Sequence, residues 1–244
     1  MTLAPLLRRL GLAAVLATTL ALPAVAFKLT PIEMEFAPSG RGATQTFVIE
    51  NPGSAPEAIE LRTFTRDMDA MGEDILVEDI DNFVVFPAQV ILQPGQEQAI
   101  RVQWIGDPAP AQELAYRLIA EQLPIDLGEA QEEGGQMKLL VRYIASLYVV
   151  PDGAKPDVSL VSAGPAADGS GLELVFQNAG SAHALLSDLV LTISGGGNEV
   201  VLTKDQLETV AGQNVLAGRT RHFVMPWPAG ITPGPVEASF TYGG

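Results

Sequence analysis

The amino-acid sequence predicts an all-β fold made of two antiparallel sandwich domains. Short runs rich in Val, Ile, Phe and Thr follow one another along the chain, and turn residues such as Pro38-Ser39-Gly40 and Pro52-Gly53-Ser54 separate them. No segment after residue 26 repeats its apolar residues with the period of a helix. Pro151-Asp152-Gly153 divides the runs into two sets, so we expect one domain at 27–150 and a second at 151–244.

Residues 1–26 have the composition of a signal peptide. Arg8 and Arg9 precede the apolar run Leu10–Leu22, and Ala24-Val25-Ala26 matches a cleavage site. The run is shorter than the ~20 residues that a membrane-spanning helix needs, and no later stretch reaches that length. We therefore expect ordinary secretion rather than the twin-arginine route, a mature chain that begins at Phe27, and no stable membrane insertion.

The first set contains seven strand-like runs, a number typical of one sandwich. In chain order they are Lys28–Phe36, Thr44–Asn51, Ala58–Thr65, Phe83–Leu92, Gln98–Trp104, Leu114–Leu123 and Met137–Val150. The polar, acidic segment 128–135 precedes the last of them, and its composition indicates a loop.

The second set contains six runs and one short helical turn. The predicted strands are Val158–Ala163, Leu172–Gln177, Leu185–Ser194, Glu199–Leu202, Arg221–Pro226 and Val236–Thr241. Lys204–Val210 is the predicted helical turn, and glycines near 164–171 and 195–197 indicate turns between strands.

Charge and cysteine content exclude several classes of function. Removing the two arginines of residues 1–26 from the 14 basic residues leaves 12 against 29 acidic ones, a net charge of −17. Such a surface repels nucleic acid and anionic lipid, so we expect neither as a partner. The chain has no cysteine, so neither disulfides nor thiol chemistry can contribute, and each domain depends on its own core.

The sequence offers no convincing catalytic or metal site. It has two histidines, His183 and His222, and no G-x-S-x-G motif, so we interpret both histidines as structural and expect neither an enzyme nor a cofactor. The segment Asp67–Glu78 nearly matches a calcium-binding loop, but Met71 stands where an oxygen ligand is needed. We predict a hairpin loop there without a metal, and cation binding stays an open question.

The run Met137–Val150 carries more apolar surface than one face of a sandwich requires. Met137, Leu139, Val141 and Tyr143 form one alternate row, and Leu140 and Ile144 belong to the other. This is the last strand of its domain, and an exposed apolar edge aggregates unless a partner covers it. The pattern therefore indicates either a strand buried on both faces or an edge that binds another protein.

Several segments together resemble a known family. They are Phe83–Gln96, Ile100-Arg101-Val102, Glu113–Pro124, Leu147–Pro151, Asn178–Ala184 and Val215–Arg219. In order and spacing they resemble the periplasmic pilus assembly chaperones of the chaperone–usher pathway, and their amino-acid sequences are most similar to the archaic branch. The resemblance covers essentially the whole chain after residue 26.

The resemblance implies a fold, a location and partners. It implies two immunoglobulin-like sandwiches joined in an L with a cleft between them, located in the periplasm. Members of the family bind pilus subunits that lack a strand and lend them the last strand of their own first domain, which the resemblance places here at Met137–Tyr143. The complex then passes to an outer-membrane usher, and no nucleotide or other cofactor is needed.

The chain departs from the family at one pair of positions. Many members hold the carboxylate at the subunit's C-terminus with a basic pair, but alignment on Phe36 and Pro151 places Glu33 and Ser146 there. Three other cations are candidate anchors: Arg117, at the start of the preceding strand; Arg142, on the lending strand; and Arg101. The alternative interpretation is that these arginines form ordinary surface or interdomain ion pairs.

Two other functions compete with the chaperone. One is a secreted binding or adhesive protein, or a pilus subunit; however, a subunit normally has a free N-terminal extension, whereas a strand begins here within two residues of the cleavage site. The other is an enzyme that uses carboxylates, which would have to converge in a pocket.

Overall fold

The computed structural model describes residues 27–124 and 140–243, and the regular secondary structure within these residues is almost entirely strand. The all-β prediction is therefore confirmed. The strands are β1 Lys28–Thr30, β2 Glu33–Phe36, β3 Thr44–Glu50, β4 Glu57–Met68, β5 Asp74–Asp79, β6 Phe83–Phe86, β7 Gln89–Leu92, β8 Glu97–Trp104, β9 Leu114–Gln122, β10 Arg142–Val149, β11 Val158–Pro165, β12 Leu172–Asn178, β13 Ala184–Leu185, β14 Ser187–Gly195, β15 Asn198–Leu202, β16 Asn214–Val215, β17 Thr220–Met225 and β18 Glu237–Gly243. Single 3₁₀ turns lie at Gly40–Ala43 and at Lys204–Gln206, the latter within the predicted helical turn.

Two sheets form the first half of the chain. One has the order β1-β3-β8-β6, and the other has the order β2-β10-β9-β4-β5, with β7 also paired to β4. Alternate side chains of both sheets meet in one core, whose fully buried members include Phe36, Phe47, Ile100, Leu118 and Leu147. This is the sandwich arrangement that alternating strands predict.

Two predicted strands are each split in two by a proline. Lys28–Phe36 breaks at Pro31, so that β1 pairs with β3 while β2 pairs with β10 in the other sheet. Phe83–Leu92 breaks at Pro87, so that β6 pairs with β8 and β7 with β4. Proline has no N–H to donate to a strand ladder, which explains why pairing stops there and resumes in the facing sheet.

The first half also has a hairpin that is longer than predicted. β4 continues to Met68, beyond the predicted end at Thr65, and the unpredicted strand β5 pairs back along it from Met68↔Asp74 to Thr63↔Asp79. Residues 69–73 of the segment Asp67–Glu78 therefore form the tip of the β4–β5 hairpin. Asp69 accepts hydrogen bonds from the N–H groups of Met71 (2.8 Å) and Glu73 (2.9 Å), which close the turn.

The second half contains its own sheets and its own core. The strand orders are β11-β12-β17, β15-β14-β18 and the short pair β13-β16. Leu172, Leu174, Phe176, Leu191 and Ile193 are fully buried in its core. This core draws on residues from Val158 to Tyr242 and the first core on residues from Phe27 to Val149, so the two lie on opposite sides of the predicted boundary.

A small apolar cluster connects the two halves. Met68, Tyr148 and Leu216 are buried together, and Ala115 and Val150 pack against them. The ring of His183 stacks on Tyr148 with centroids 3.9 Å apart, and His183 Nδ1 lies 2.8 Å from the buried carboxylate of Glu113. His183 therefore has the structural role that was predicted, as does His222, which lies 3.0 Å from Glu173.

Within residues 27–124 and 140–243, no helix has the length and apolarity needed to cross a bilayer.

Candidate functional site

The first half of β10 has one free edge. β10 pairs antiparallel with β9 along its whole length, from Arg142↔Glu121 to Val149↔Leu114. On its other side it pairs in parallel with β2, but only from Ser146 to Val149. In the described part of the chain, no strand covers this side of residues 142–145. The backbone groups that point to this side can therefore pair with a strand from another protein.

The amides that face the free edge follow from the alternation of the strand. The N–H of Ser146 donates to Ile32 O at 2.8 Å, on the β2 side. Because successive N–H groups of a strand point to opposite sides, the amides of Arg142 and Ile144 point to the same free side. The amides of Tyr143 and Ala145 point to β9.

The two described residues of the predicted apolar row lie on the core side of β10. Val141 and Tyr143 are partly buried against the first core, in line with the buried residues Ala145 and Leu147. The ring of Tyr143 lies 5.0 Å from that of Phe27, so its own domain already contacts it. Met137 and Leu139, the other two residues of the row, lie outside the described residues.

The opposite face of the same segment is open to solvent. Leu140 is 44% exposed and Ile144 is 47% exposed, although both are large and apolar. From Leu140 to Ile144 the strand is therefore not buried on both faces. Burial on both faces begins only at Ala145, where β2 starts to cover the strand.

Side chains from both the exposed and the buried half of β10 line a cleft between the two halves of the chain. The cleft has a volume of about 560 Å³. Its lining includes Glu33, Arg66, Glu73, Asp74, Arg117, Arg142, Ile144, Ser146, Tyr148, Leu185, Asn214 and Arg221. Four of these residues are arginines and three are acidic, so the cleft carries a formal positive charge in a chain whose net charge is −15. Such a site attracts an anion.

Arg117 lines this cleft and lies opposite Ser146 in the β9–β10 register. Its Nε donates to Asp74 Oδ2 at 2.7 Å, and a second nitrogen donates to Ser146 Oγ. Its side chain is 15% exposed. Glu33 pairs with Ser146 across β2 and β10, so of the two positions that lack a cation Ser146 is the direct neighbour of Arg117 and Glu33 lies one strand farther away.

Arg66 is a second cation beside Arg117 that the sequence does not single out. Its Nε donates to Asp74 Oδ1 at 2.7 Å and its Nη1 to the Tyr148 hydroxyl at 2.9 Å, with the side chain only 6% exposed. Burial alone would raise the pKa of Asp74, but hydrogen bonds from Arg117 and Arg66 hold that pKa below its usual value. One ionised carboxylate therefore joins two guanidinium groups.

The other two candidate anchors lie in different places. Arg142 also lines the cleft and is exposed, on the same face of β10 as Ile144 and two residues before it. Arg101 lies on β8 in the other sheet, where it is exposed beside Phe86 and donates to Gln103. Arg101 does not line the cleft, because β8 pairs with β3 and β6 rather than with β9 or β10.

Two carboxylates of the segment Asp67–Glu78, which nearly matches a calcium-binding loop, pair with arginines rather than pointing into one site. Asp67 accepts two hydrogen bonds from Arg219, at 2.6 and 2.8 Å, and Asp74 pairs with Arg66 and Arg117. These contacts favour the predicted hairpin over a calcium loop.

Comparison with known proteins places these features in context. The sequence profile of a family described as "Pili and flagellar-assembly chaperone, PapD N-terminal domain" matches residues 32–155, just over half of the chain. No curated protein sequence matches the chain significantly.

Solved structures of pilus chaperones have the same fold. A chain of the CsuC–CsuE chaperone–tip adhesion subunit complex, from archaic Csu pili of Acinetobacter baumannii, matches with a TM-score of 0.58 and 16% identity over 82% of this chain and 91% of that one. The E. coli chaperone DraB matches at 0.54 and 19% over 84% and 86%. A chain of the Salmonella enterica SafA pilin–SafB chaperone complex matches at 0.55 and 16% over 82% and 84%. The prediction of two immunoglobulin-like sandwich domains is confirmed.

Proposed function

The chain belongs to the family of pili and flagellar-assembly chaperones, and we propose that it captures pilus subunits by lending them the strand that begins at Met137. Family membership also confirms that the chain is an assembly chaperone rather than an enzyme. It likewise sets aside the alternatives of a pilus subunit or an adhesive protein. The observation that carries the proposal is the free backbone edge of β10 at residues 142–145. Val141 and Tyr143, the described residues of the apolar row, lie in the same part of the chain.

Strand lending uses two kinds of contact at once. A subunit that lacks a strand can pair its backbone with the free edge of β10, where the amides of Arg142 and Ile144 have no strand partner among the described residues. Met137, Leu139 and Val141 would enter the subunit's groove. Each such side chain contributes roughly 1.5–3 kcal/mol when buried, and three together offset the cost of ordering one extended segment.

Arg117 is the proposed anchor for the carboxylate at the subunit's C-terminus. It belongs to β9, next to the lending strand, and its side chain lines the cleft. Its two described hydrogen bonds use two of the five guanidinium donors, which leaves donors for a ligand. A charge-assisted hydrogen bond of this kind contributes roughly 1.5–3 kcal/mol. Arg142 is a second candidate at the rim of the cleft, whereas the placement of Arg101 in the other sheet gives it no part in this site.

The proposal includes a location and a route. Removal of residues 1–26 on export would release the mature chaperone into the periplasm, where subunits arrive unfolded. Delivery to an outer-membrane usher then completes the pathway that the resemblance implies. The strongly acidic charge of the chain supports partners that are proteins rather than nucleic acid or anionic lipid.

Capture of subunits by the full-length protein in its native host tests the proposal. A tagged chaperone is purified from the periplasm, and the proteins that accompany it are identified by mass spectrometry. Replacing Leu139 and Val141 together with Asp should remove the subunit, because charges would enter an apolar groove. Lys138→Ser is the matched control and should retain it, since the alternation of a strand predicts that residue 138 faces away from the groove. A folded Leu139→Asp, Val141→Asp protein that still carries subunit would contradict strand lending through this segment.

A further inference from the structure

The β4–β5 hairpin connects the proposed anchor to the second domain. Its tip contacts β17: the N–H of His222 donates to Ala70 O at 2.6 Å. Nearby, Arg219 donates two hydrogen bonds to Asp67. The same hairpin carries Arg66 on β4 and Asp74 at the start of β5, so one element spans the distance from the domain interface to the cleft.

Gly72 is the position at which this tip fits against the second domain. Its φ is +89°, and a Cβ placed there would overlap the guanidinium of Arg221. Arg221 is itself fixed, because it donates to Asn214 O at 2.7 Å and to Gln213 Oε1 at 2.8 Å and lies over the ring of Phe223. The contact therefore admits only glycine unless the hairpin or the arginine moves.

Asp74, two residues beyond Gly72, determines the direction of Arg117. Each oxygen of Asp74 accepts one Nε–H, from Arg66 and from Arg117, both at 2.7 Å. Engagement through Nε fixes the plane of each guanidinium and turns the remaining nitrogens of Arg117 towards Ser146 and the cleft. A displacement of the hairpin tip would move Asp74 and with it this orientation.

We propose that Gly72 and Asp74 are positioning residues of the carboxylate anchor, and that contact of the hairpin with Arg221 sets the direction of Arg117. The inference rests on the proposed anchoring role of Arg117. It assigns the second domain a part in ligand binding, although the anchoring arginine belongs to the first. The anchor is then complete only when the two domains are in contact.

Acetate is a suitable probe because it presents the carboxylate alone. The mature protein, labelled with ¹⁵N-arginine, is titrated with sodium acetate at constant ionic strength while the Arg117 guanidinium resonances are followed by NMR. Acetamide provides the neutral control. In the unsubstituted protein we expect a saturable shift with acetate and none with acetamide. In Gly72→Ala we expect acetate to bind about threefold more weakly or worse, at the lower end of coupling between contacting residues.

Gly95→Ala is the matched control for Gly72→Ala. Gly95 also has a positive φ, +73°, but a Cβ there meets nothing within 4 Å. Both variants therefore carry the backbone cost of alanine in this conformation, and only one disturbs the domain contact. Combining Gly72→Ala with Arg221→Ala makes room for the new Cβ, so the double variant should bind acetate as Arg221→Ala alone does.

A second substitution keeps the test decisive if Gly72→Ala does not fold. Asp74→Glu retains the charge but lengthens the side chain by one methylene, so a purely electrostatic role predicts unchanged acetate binding and a positioning role predicts weaker binding. Equal acetate affinity in the unsubstituted protein, Gly72→Ala and Asp74→Glu would overturn the inference. If Arg117 of the unsubstituted protein does not respond to acetate, the anchor is wrong and this inference falls with it, whereas capture of subunits through β10 is judged separately by the Leu139→Asp, Val141→Asp protein.

Discussion

Replacing Arg117 with alanine should weaken capture of a subunit and should also lower the stability of the chaperone itself. In the free protein the substitution removes one hydrogen bond to Asp74 and one to Ser146, but Asp74 keeps its bond to Arg66. Hydrogen bonds that involve a charged group contribute roughly 1.5–3 kcal/mol each, so losing both bonds should lower the unfolding free energy by about 3–6 kcal/mol at most.

The loss of affinity for a subunit is measured separately from this loss of stability. Removing a charge-assisted bond to a desolvated carboxylate costs roughly 1.5–3 kcal/mol, which corresponds to a dissociation constant about 10- to 150-fold higher. Urea unfolding measures the stability of the variant, and dissociation of a co-purified subunit measures the affinity. Arg101→Ala is the control, because Arg101 is an arginine of the same domain that does not line the cleft. Normal affinity in Arg117→Ala together with a loss in Arg101→Ala or Arg142→Ala would refute the assignment of Arg117.

Three further predictions concern processing, acid stability and packing. Mass spectrometry of the periplasmic protein should give a chain that begins at Phe27, and a soluble chain that retains residues 1–26 would contradict export with cleavage. Arg117 and Arg66 lower the pKa of Asp74 in the folded protein. The stabilising effect of its carboxylate should therefore be present above the usual pKa of about 3.9 and disappear as pH falls through the lower folded value. The unfolding free energies of Asp74→Asn and of the unsubstituted protein, measured with urea, should differ at neutral pH and converge in acid. Tyr143→Ala should lower the unfolding free energy by about 1–3 kcal/mol. This is less than the loss for a fully buried aromatic residue, because Tyr143 is only partly buried against Phe27. An unchanged unfolding free energy would show that Tyr143 is free for a partner.

Much of the fold can be predicted from alternation and turn residues alone. Runs such as Gln98–Trp104 and Leu172–Gln177 correspond closely to β8 and β12, because their apolar residues alternate without interruption. The splits at Pro31 and Pro87 could also have been foreseen, since a proline inside a run cannot donate to a ladder. The transfer of the second part to the facing sheet depends on distant strands, which local pattern does not specify.

The residues of the candidate site likewise fall into those that the sequence predicts and those that it does not. Arg117 can be predicted, because antiparallel pairing of neighbouring strands brings the start of β9 beside the end of β10. Arg66 and Asp74 cannot, because they reach the cleft through the β4–β5 hairpin, whose second strand has no clear alternating pattern. The contact of Gly72 with Arg221 spans about 150 positions of sequence, and it exists only because the two domains meet there.

The central claim, that the free edge of β10 pairs with a subunit, is tested most directly by amide hydrogen exchange at single residues. The amides of Arg142 and Ile144 face the free edge, while those of Tyr143 and Ala145 face β9. In the chaperone alone we expect fast exchange at the first two and slow exchange at the last two. In the complex with a subunit, Arg142 and Ile144 should become as protected as their neighbours. Subunit binding that leaves these two amides in fast exchange would contradict strand lending.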